Sequence, residues 1–347
     1  MVNVLYEEFI MKKILFGCLL TLGLFANESS QNENKSSFMG DLLNEVKSTI
    51  DSDLTDKVKL ENMKEYIKSI KFDDKVDTSK YKLNIMGHHE SYMLLGGYSP
   101  TNLTEKYWSK GVRDTNNEYE RDNNEAQFQI SIKIPLYSNF LNTGGDLFTA
   151  YTQNSYWQVY NTDHSSPFRE TNYMPELFIE WQPNKKFGDS TLVKTRFSLI
   201  HQSNGQDVGK SRSWNRTEVF FMFKNDNIYY GANIWDRWDE DKKDVNDPNY
   251  PNVTEGDDNV GLEDYIGKQK YFVRYETDKV NFTLSHQNNI ADYDIDYGNT
   301  KLDIAFPSIN SNFDFFIRYF NGYGESLIDY DVKIERVSFG ILIADWL

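Results

Sequence analysis

Cysteine is almost missing from this chain. Cys18 is its single copy, so no disulfide framework can hold the fold. Beyond the N-terminus there is also no run of about 18 apolar residues, which excludes membrane-spanning helices. Positive charge is short as well. Against 53 Asp and Glu stand 37 Lys and Arg, a net charge of -16. That is the opposite of the basic footprint a nucleic-acid partner requires, and the acids read as solubilising loops. What is plentiful is aromatic: 23 Tyr, 23 Phe and 7 Trp in a chain only 39% hydrophobic. Half-apolar strands edged with aromatic girdles account for both figures, and they are the composition of a transmembrane β-barrel.

Met11-Lys12-Lys13 followed by the apolar stretch Ile14 to Ala26 reads as a secretory signal, too short to span a bilayer. The ten residues ahead of Met11 read as an upstream start. Cys18 lies inside the signal. As a lipoprotein acceptor it has too short an apolar run before it, and Phe16 is bulky. Asn27 to Ser37 is polar and reads as disordered. Leu43, Val46, Ile50, Leu54, Val58, Met63, Ile67 and Ile70 then recur at helical spacing, better suited to packing than to a partner box. The expected organisation is upstream residues and signal over 1–26, a polar and partly helical extension over 27–80, and a barrel over 81–347.

From Lys82 the period switches to two. Strands are expected over 82–97, 125–137, 146–160, 173–182, 191–203, 212–224, 228–236, 269–277, 280–288, 298–307, 312–320 and 329–346. The connections alternate between short turns rich in Asn, Asp, Gly and Ser and longer loops. Short turns on one side and long loops on the other is the outer-membrane arrangement, with the long loops outside the cell. The longest, Arg237 to Lys268, is acidic and reads as a solvated loop rather than a cation site. The last strand must pair with the first, because an open edge in lipid leaves backbone groups unsatisfied. Its end, Asp345-Trp346-Leu347, resembles the recognition signal of barrel assembly. The fold expected is all-β: a 12-stranded antiparallel transmembrane barrel with a short, partly helical N-terminal extension.

One stretch breaks the apolar outer faces. Alternation puts Val193, Phe197, Leu199, His201 and Ser203 on one face of a strand, and Lys194, Arg196, Ser198 and Gln202 on the other. On the next strand Asn215, Val219, Phe221 and Phe223 share a face. In a hairpin centred near Val208, His201 stands opposite Asn215, and Ser203 is about 7 Å along the same face. A hydroxyl nucleophile, an imidazole base and an amide that orients the base then form a line. An amide suits a lipid-facing surface, where a carboxylate would be costly to desolvate. Gly205 can bring a backbone N–H close to a developing oxyanion. Rims of barrels are rich in Ser, His and Asn, and glycine is an ordinary turn residue. The shared face of all three groups lifts the pattern above rim decoration.

His201-Gln202-Ser203-Asn204-Gly205 with Ser211-Arg212-Ser213-Trp214-Asn215-Arg216 resembles bacterial outer-membrane phospholipase A. The blocks Ser165 to Tyr173, Gly322 to Tyr330 and Tyr151-Thr152-Gln153 extend the likeness across most of 82–347. The resemblance implies Ser203 as nucleophile, His201 as base, Asn215 as its partner and Gly205 as an oxyanion donor. It also implies calcium dependence and an active homodimer, with Gln206 and Ser211 of one subunit and Ser165 of the other offering oxygens to Ca²⁺. Gln206 departs from the Arg usual at its position, which leaves a backbone-carbonyl ligand intact but any side-chain role in doubt. Gln153 matches a polar residue expected to point into the barrel. The function expected is hydrolysis of acyl esters of phospholipids and lysophospholipids in the bacterial outer membrane, near its outer leaflet. The rival readings are a diffusion pore and a surface adhesin.

Overall fold

The computed structural model describes residues 85–100, 121–206, 210–240, 256–257, 259–289, 294–307 and 313–345. The signal and the helices expected before residue 80 lie outside that set. Strands β1 (Met86–Gly87), β2 (Ser91–Tyr98), β3 (Asn124–Tyr137) and β4 (Asp146–Trp157) come first. β5 (Phe168–Trp181), β6 (Lys185–Phe187), β7 (Ser190–Ser203), β8 (Ser213–Asn225) and β9 (Ile228–Arg237) follow. After a short helix α1 (Leu262–Ile266) come β10 (Gln269–Glu276), β11 (Asn281–Asn289), β12 (Asp294–Phe306), β13 (Asp314–Gly322) and β14 (Ile334–Ala344). β1 and β6 are short pieces lying against β3 and β7. The other twelve follow the twelve expected segments. Each pairs with its neighbours, and β14 pairs antiparallel with β2, so the ring closes.

Burial in this barrel is inside out. Leu177, Leu199, Ile234, Val273, Leu284 and Ile317 are exposed, while Lys133, Glu180, Arg196, Glu218 and Arg318 are buried. Lipid solvates the first set, and the interior charges satisfy one another. Lys133 donates to Glu180 at 2.9 Å, and Arg318 bridges Asp303 at 2.7 Å and Glu90 at 2.8 Å. On the loop side Trp214, Trp235, Leu262, Ile266, Leu327 and Tyr330 pack into an apolar lid. Burial pushes the Tyr330 hydroxyl up to about 12, and it donates to the Val260 carbonyl at 2.9 Å. A lumen crossed by ion pairs and narrowed by that cluster is a poor conduit for a diffusion pore.

Several boundaries differ from expectation for physical reasons. β5 starts at Phe168 rather than 173, because the charged pair Arg169 and Glu170 is buried against inner partners instead of lying in a loop. β14 starts at Ile334 rather than 329, because Leu327 and Tyr330 belong to the lid. Val193 sits at a register shift between Leu192 and Lys194 and packs with Phe220, Met222 and Phe272, off the outer face assigned to it. Gln153 alternates with inward Thr152 and Asn154, so it points outward, beside Tyr151.

Candidate active site

The register of β7 and β8 does what the hairpin geometry requires. His201 pairs with Asn215, and Ser203 with Ser213. Leu199, His201 and Ser203 alternate with the buried Ser198 and Ile200, so the trio looks away from the lumen. His201 Nδ1 lies 2.8 Å from Asn215 Oδ1. Beyond it, Asn215 Nδ2 donates to Glu240 Oε1 at 3.0 Å. A carboxylate only accepts hydrogen bonds, so it fixes which end of the amide faces it. The amide oxygen must then face His201, which requires the imidazole proton on Nδ1. Nε2 then carries the lone pair.

Glu240 escaped the sequence reading, which treated its whole loop as solvated acid. Trp238 delivers it. The Trp238 backbone N–H donates to the Asn215 carbonyl at 2.9 Å, and its indole to Thr217 at 3.0 Å. The negative charge thus sits one link behind the amide, on a loop, where desolvation costs less than on the apolar wall.

The turn after Ser203 is pinned by Asn204, another residue that received no role from sequence. Its side chain is buried. Oδ1 accepts the Arg212 N–H at 2.8 Å and the Gln206 N–H at 3.3 Å, and Nδ2 donates to the Lys210 carbonyl at 2.8 Å. Nδ2 also reaches Glu170 Oε2 at 3.4 Å. Glu170 and Asn172 in turn accept the Ile328 and Leu327 backbone N–H groups. Blocks far apart in the chain therefore converge on one buried scaffold beneath the hairpin. Their presence among the quoted motifs was the available signal. Gly205 has φ 63, and a Cβ there would stand 3.1 Å from the Tyr173 ring. The left-handed conformation favours glycine, and a Cβ would crowd the ring.

Gln206 is exposed and Ser211 half-buried, both on the β7–β8 connection. Ser165, exposed and left-handed at φ 61, follows a 3-10 turn (Thr162–His164) on the β4–β5 connection. All three offer oxygen, the donor that a hard cation such as calcium prefers.

A closed barrel with an apolar outer wall defines an integral protein of the bacterial outer membrane. The family model for phospholipase A1 matches residues 68–343. Phospholipase A1 of Proteus vulgaris is 32% identical over 266 residues, covering 76% of this chain and 86% of the relative. That of Klebsiella pneumoniae is 31% identical with the same coverage. Among solved structures, an active-site mutant of outer membrane phospholipase A from Escherichia coli superposes with TM-score 0.62 at 27% identity. It covers 77% of this chain and 94% of its own. The Salmonella typhi outer membrane phospholipase dimer with bound calcium gives the same TM-score, identity and coverage. The chain belongs to the phospholipase A1 family.

Proposed function

We propose that this protein hydrolyses acyl esters of phospholipids and lysophospholipids reaching the outer leaflet, with Ser203, His201 and Asn215 as its working trio. The observation that carries the reading is the chain of hydrogen bonds running from His201 through Asn215 to Glu240 on a lipid-facing edge. Ser203 Oγ attacks the ester carbonyl as its proton passes to His201 Nε2, forming a tetrahedral adduct. The Gly205 N–H lies on the adjoining turn to stabilise the developing oxyanion. His201 then returns the proton to the leaving alcohol, and water cleaves the acyl-enzyme by the same route in reverse. Asn215 holds the imidazolium throughout, and Glu240 holds Asn215.

Calcium fits the oxygen set of Gln206 and Ser211 with Ser165 from a second subunit; when bound it would polarise the ester carbonyl. Gln206 lacks the positive charge of the usual Arg, which favours a cation nearby. The homodimer reading rests on a second outward feature. Tyr151, Gln153, Ser155 and Thr171 form a hydrogen-bonded polar ladder on the outer face of β4 and β5. Such groups are costly against lipid and suit a protein partner.

The test is fatty-acid release by Ser203→Ala in calcium. Release should fall to background, as should wild-type release after chelation, and crosslinking should capture dimers only in the active preparation. Retained hydrolysis by Ser203→Ala would overturn the assignment.

A further inference from the structure

Consecutive residues of a strand point to opposite faces. His88 and His89 do not, because they lie in the bend between β1 and β2, where the His89 N–H is pinned to Ser131 Oγ at 2.9 Å. Both imidazoles converge on one carboxylate. His88 Nε2 is 3.0 Å and His89 Nε2 3.1 Å from the same oxygen, Glu176 Oε1. All three ligand atoms lie within 4.8 Å of one another. The Glu176 side chain is fully buried, and its second oxygen, Oε2, has no hydrogen-bond partner. A carboxylate clamped for its own sake would share two donors between two oxygens. Here both donors crowd one oxygen and the other is bare, an arrangement costly at zero exposure.

We infer that His88, His89 and Glu176 form a divalent transition-metal site on the inner wall of the barrel, separate from the oxygen-lined calcium ligands. Two imidazoles and a carboxylate are a donor set for zinc-class ions rather than calcium. Ligands about 2.1 Å from such an ion stand roughly 3.4 Å apart in a tetrahedron, so the two nitrogen–oxygen spacings need to open only slightly, while the nitrogen–nitrogen separation already lies within 4.8 Å. Glu176 can then use both oxygens. His88 and His89 line a cavity of about 340 Å³, and the partly exposed His89 side chain gives the ion a way in. Loading moves the proton of each imidazole from Nε2 to Nδ1. His88 Nδ1 is 3.5 Å from Arg196 Nη1, so Arg196 must turn toward Glu218, 3.8 Å away. The site staples the first bend of the barrel to β5. Glu176 pairs across β7 with Ile200, the neighbour of His201, so the ion would lie on the inner side of the wall that carries the trio outside.

The test titrates Co²⁺ into the chelator-stripped full chain in detergent, with calcium in excess throughout so that the calcium ligands do not compete. Wild type should bind one equivalent with a visible d–d absorption, and Zn²⁺ should displace it. Glu176→Gln and His89→Ala should each weaken binding by more than about 100-fold, beyond the 10–100-fold typical of outer partners. His286→Ala should bind as wild type. Zn²⁺ should raise the unfolding temperature of wild type and not of His89→Ala. Should Glu176→Gln fail to fold, the half-exposed His89 position decides the question. Absence of a one-to-one complex, or binding that survives His89→Ala, overturns the site.

Discussion

Two hairpins of this barrel carry nearly the same writing and differ in what it can do. Phe197-Ser198-Leu199-Ile200-His201-Gln202-Ser203 at the end of β7, with Asn204 just after it, is echoed by Phe282-Thr283-Leu284-Ser285-His286-Gln287-Asn288-Asn289 on β11. Both strands run toward the loop side, and both histidines face outward. His201 pairs across the ladder with Asn215 and His286 with Thr300. His286 Nδ1 meets Thr300 Oγ1 at 2.9 Å, as His201 Nδ1 meets Asn215 Oδ1. The difference lies on the other ring nitrogen. Asn288 Nδ2 sits 3.0 Å from His286 Nε2, so an amide donor occupies the lone pair that the proposed mechanism requires of His201 for the Ser203 proton. A cross-strand partner for histidine is thus common to both hairpins. A serine two residues on, and among the described residues a carboxylate behind the partner, belong to one.

The comparison breaks most visibly at the histidines. His201→Ala should lower kcat for phospholipid hydrolysis by between about 10² and 10⁴, the range of general acid–base catalysis. His286→Ala should leave it unchanged in the same assay. Equal losses would mean that both hairpins serve one site. Next come their partners. A hydrogen bond to a charged imidazolium contributes about 1.5–3 kcal/mol, so Asn215→Ala should cost roughly 10- to 100-fold in kcat. Thr300→Ala should cost nothing measurable.

The strands and the shared face of Ser203, His201 and Asn215 were legible because both rest on period two, the strongest signal a strand carries. Where the period is interrupted, legibility ends. The register shift at Val193 moved that side chain to the interior without any mark in the residue itself. Gln153 was placed inward by the family resemblance, yet its parity with Tyr151 puts it outside. Asn204 and Glu240 were invisible as clamps because they act from turns, where no period exists and the partners are far along the chain. The scaffold joining Asn204, Glu170 and Ile328 needed the closed ring before its members could meet.

A smaller effect is expected at Glu240, and it sharpens the contrast between Asn215 and Thr300. Glu240→Gln keeps an acceptor but gives up the charge, and its amide can also donate, so the Asn215 side chain loses its reason to face one way. The loss should be on the order of 1 kcal/mol, about fivefold in kcat, with KM unmoved. Glu240→Asp should recover part of it, whereas a merely structural acid would show its effect in unfolding temperature instead. An unchanged kcat in Glu240→Ala would remove the carboxylate from the working chain.

The smallest expected effect is the most discriminating. Asn288→Ser in a Ser203→Ala background writes His-x-Ser onto the second hairpin, with a cross-strand hydrogen bond to the histidine already in place. We expect background hydrolysis from it. Thr300 offers a hydroxyl, which donates as readily as it accepts, so it cannot dictate which nitrogen of His286 bears the proton. No carboxylate is hydrogen-bonded to Thr300 among the described residues as Glu240 is to Asn215. The ladder beside it also slips between Gln287 and Asn289, whereas β7 and β8 stay in register through Ser203 and Ser213. Serine-dependent fatty-acid release from that double variant would show that spacing alone makes the site. Its absence would locate the catalytic difference in the amide, its clamp and the unbroken register.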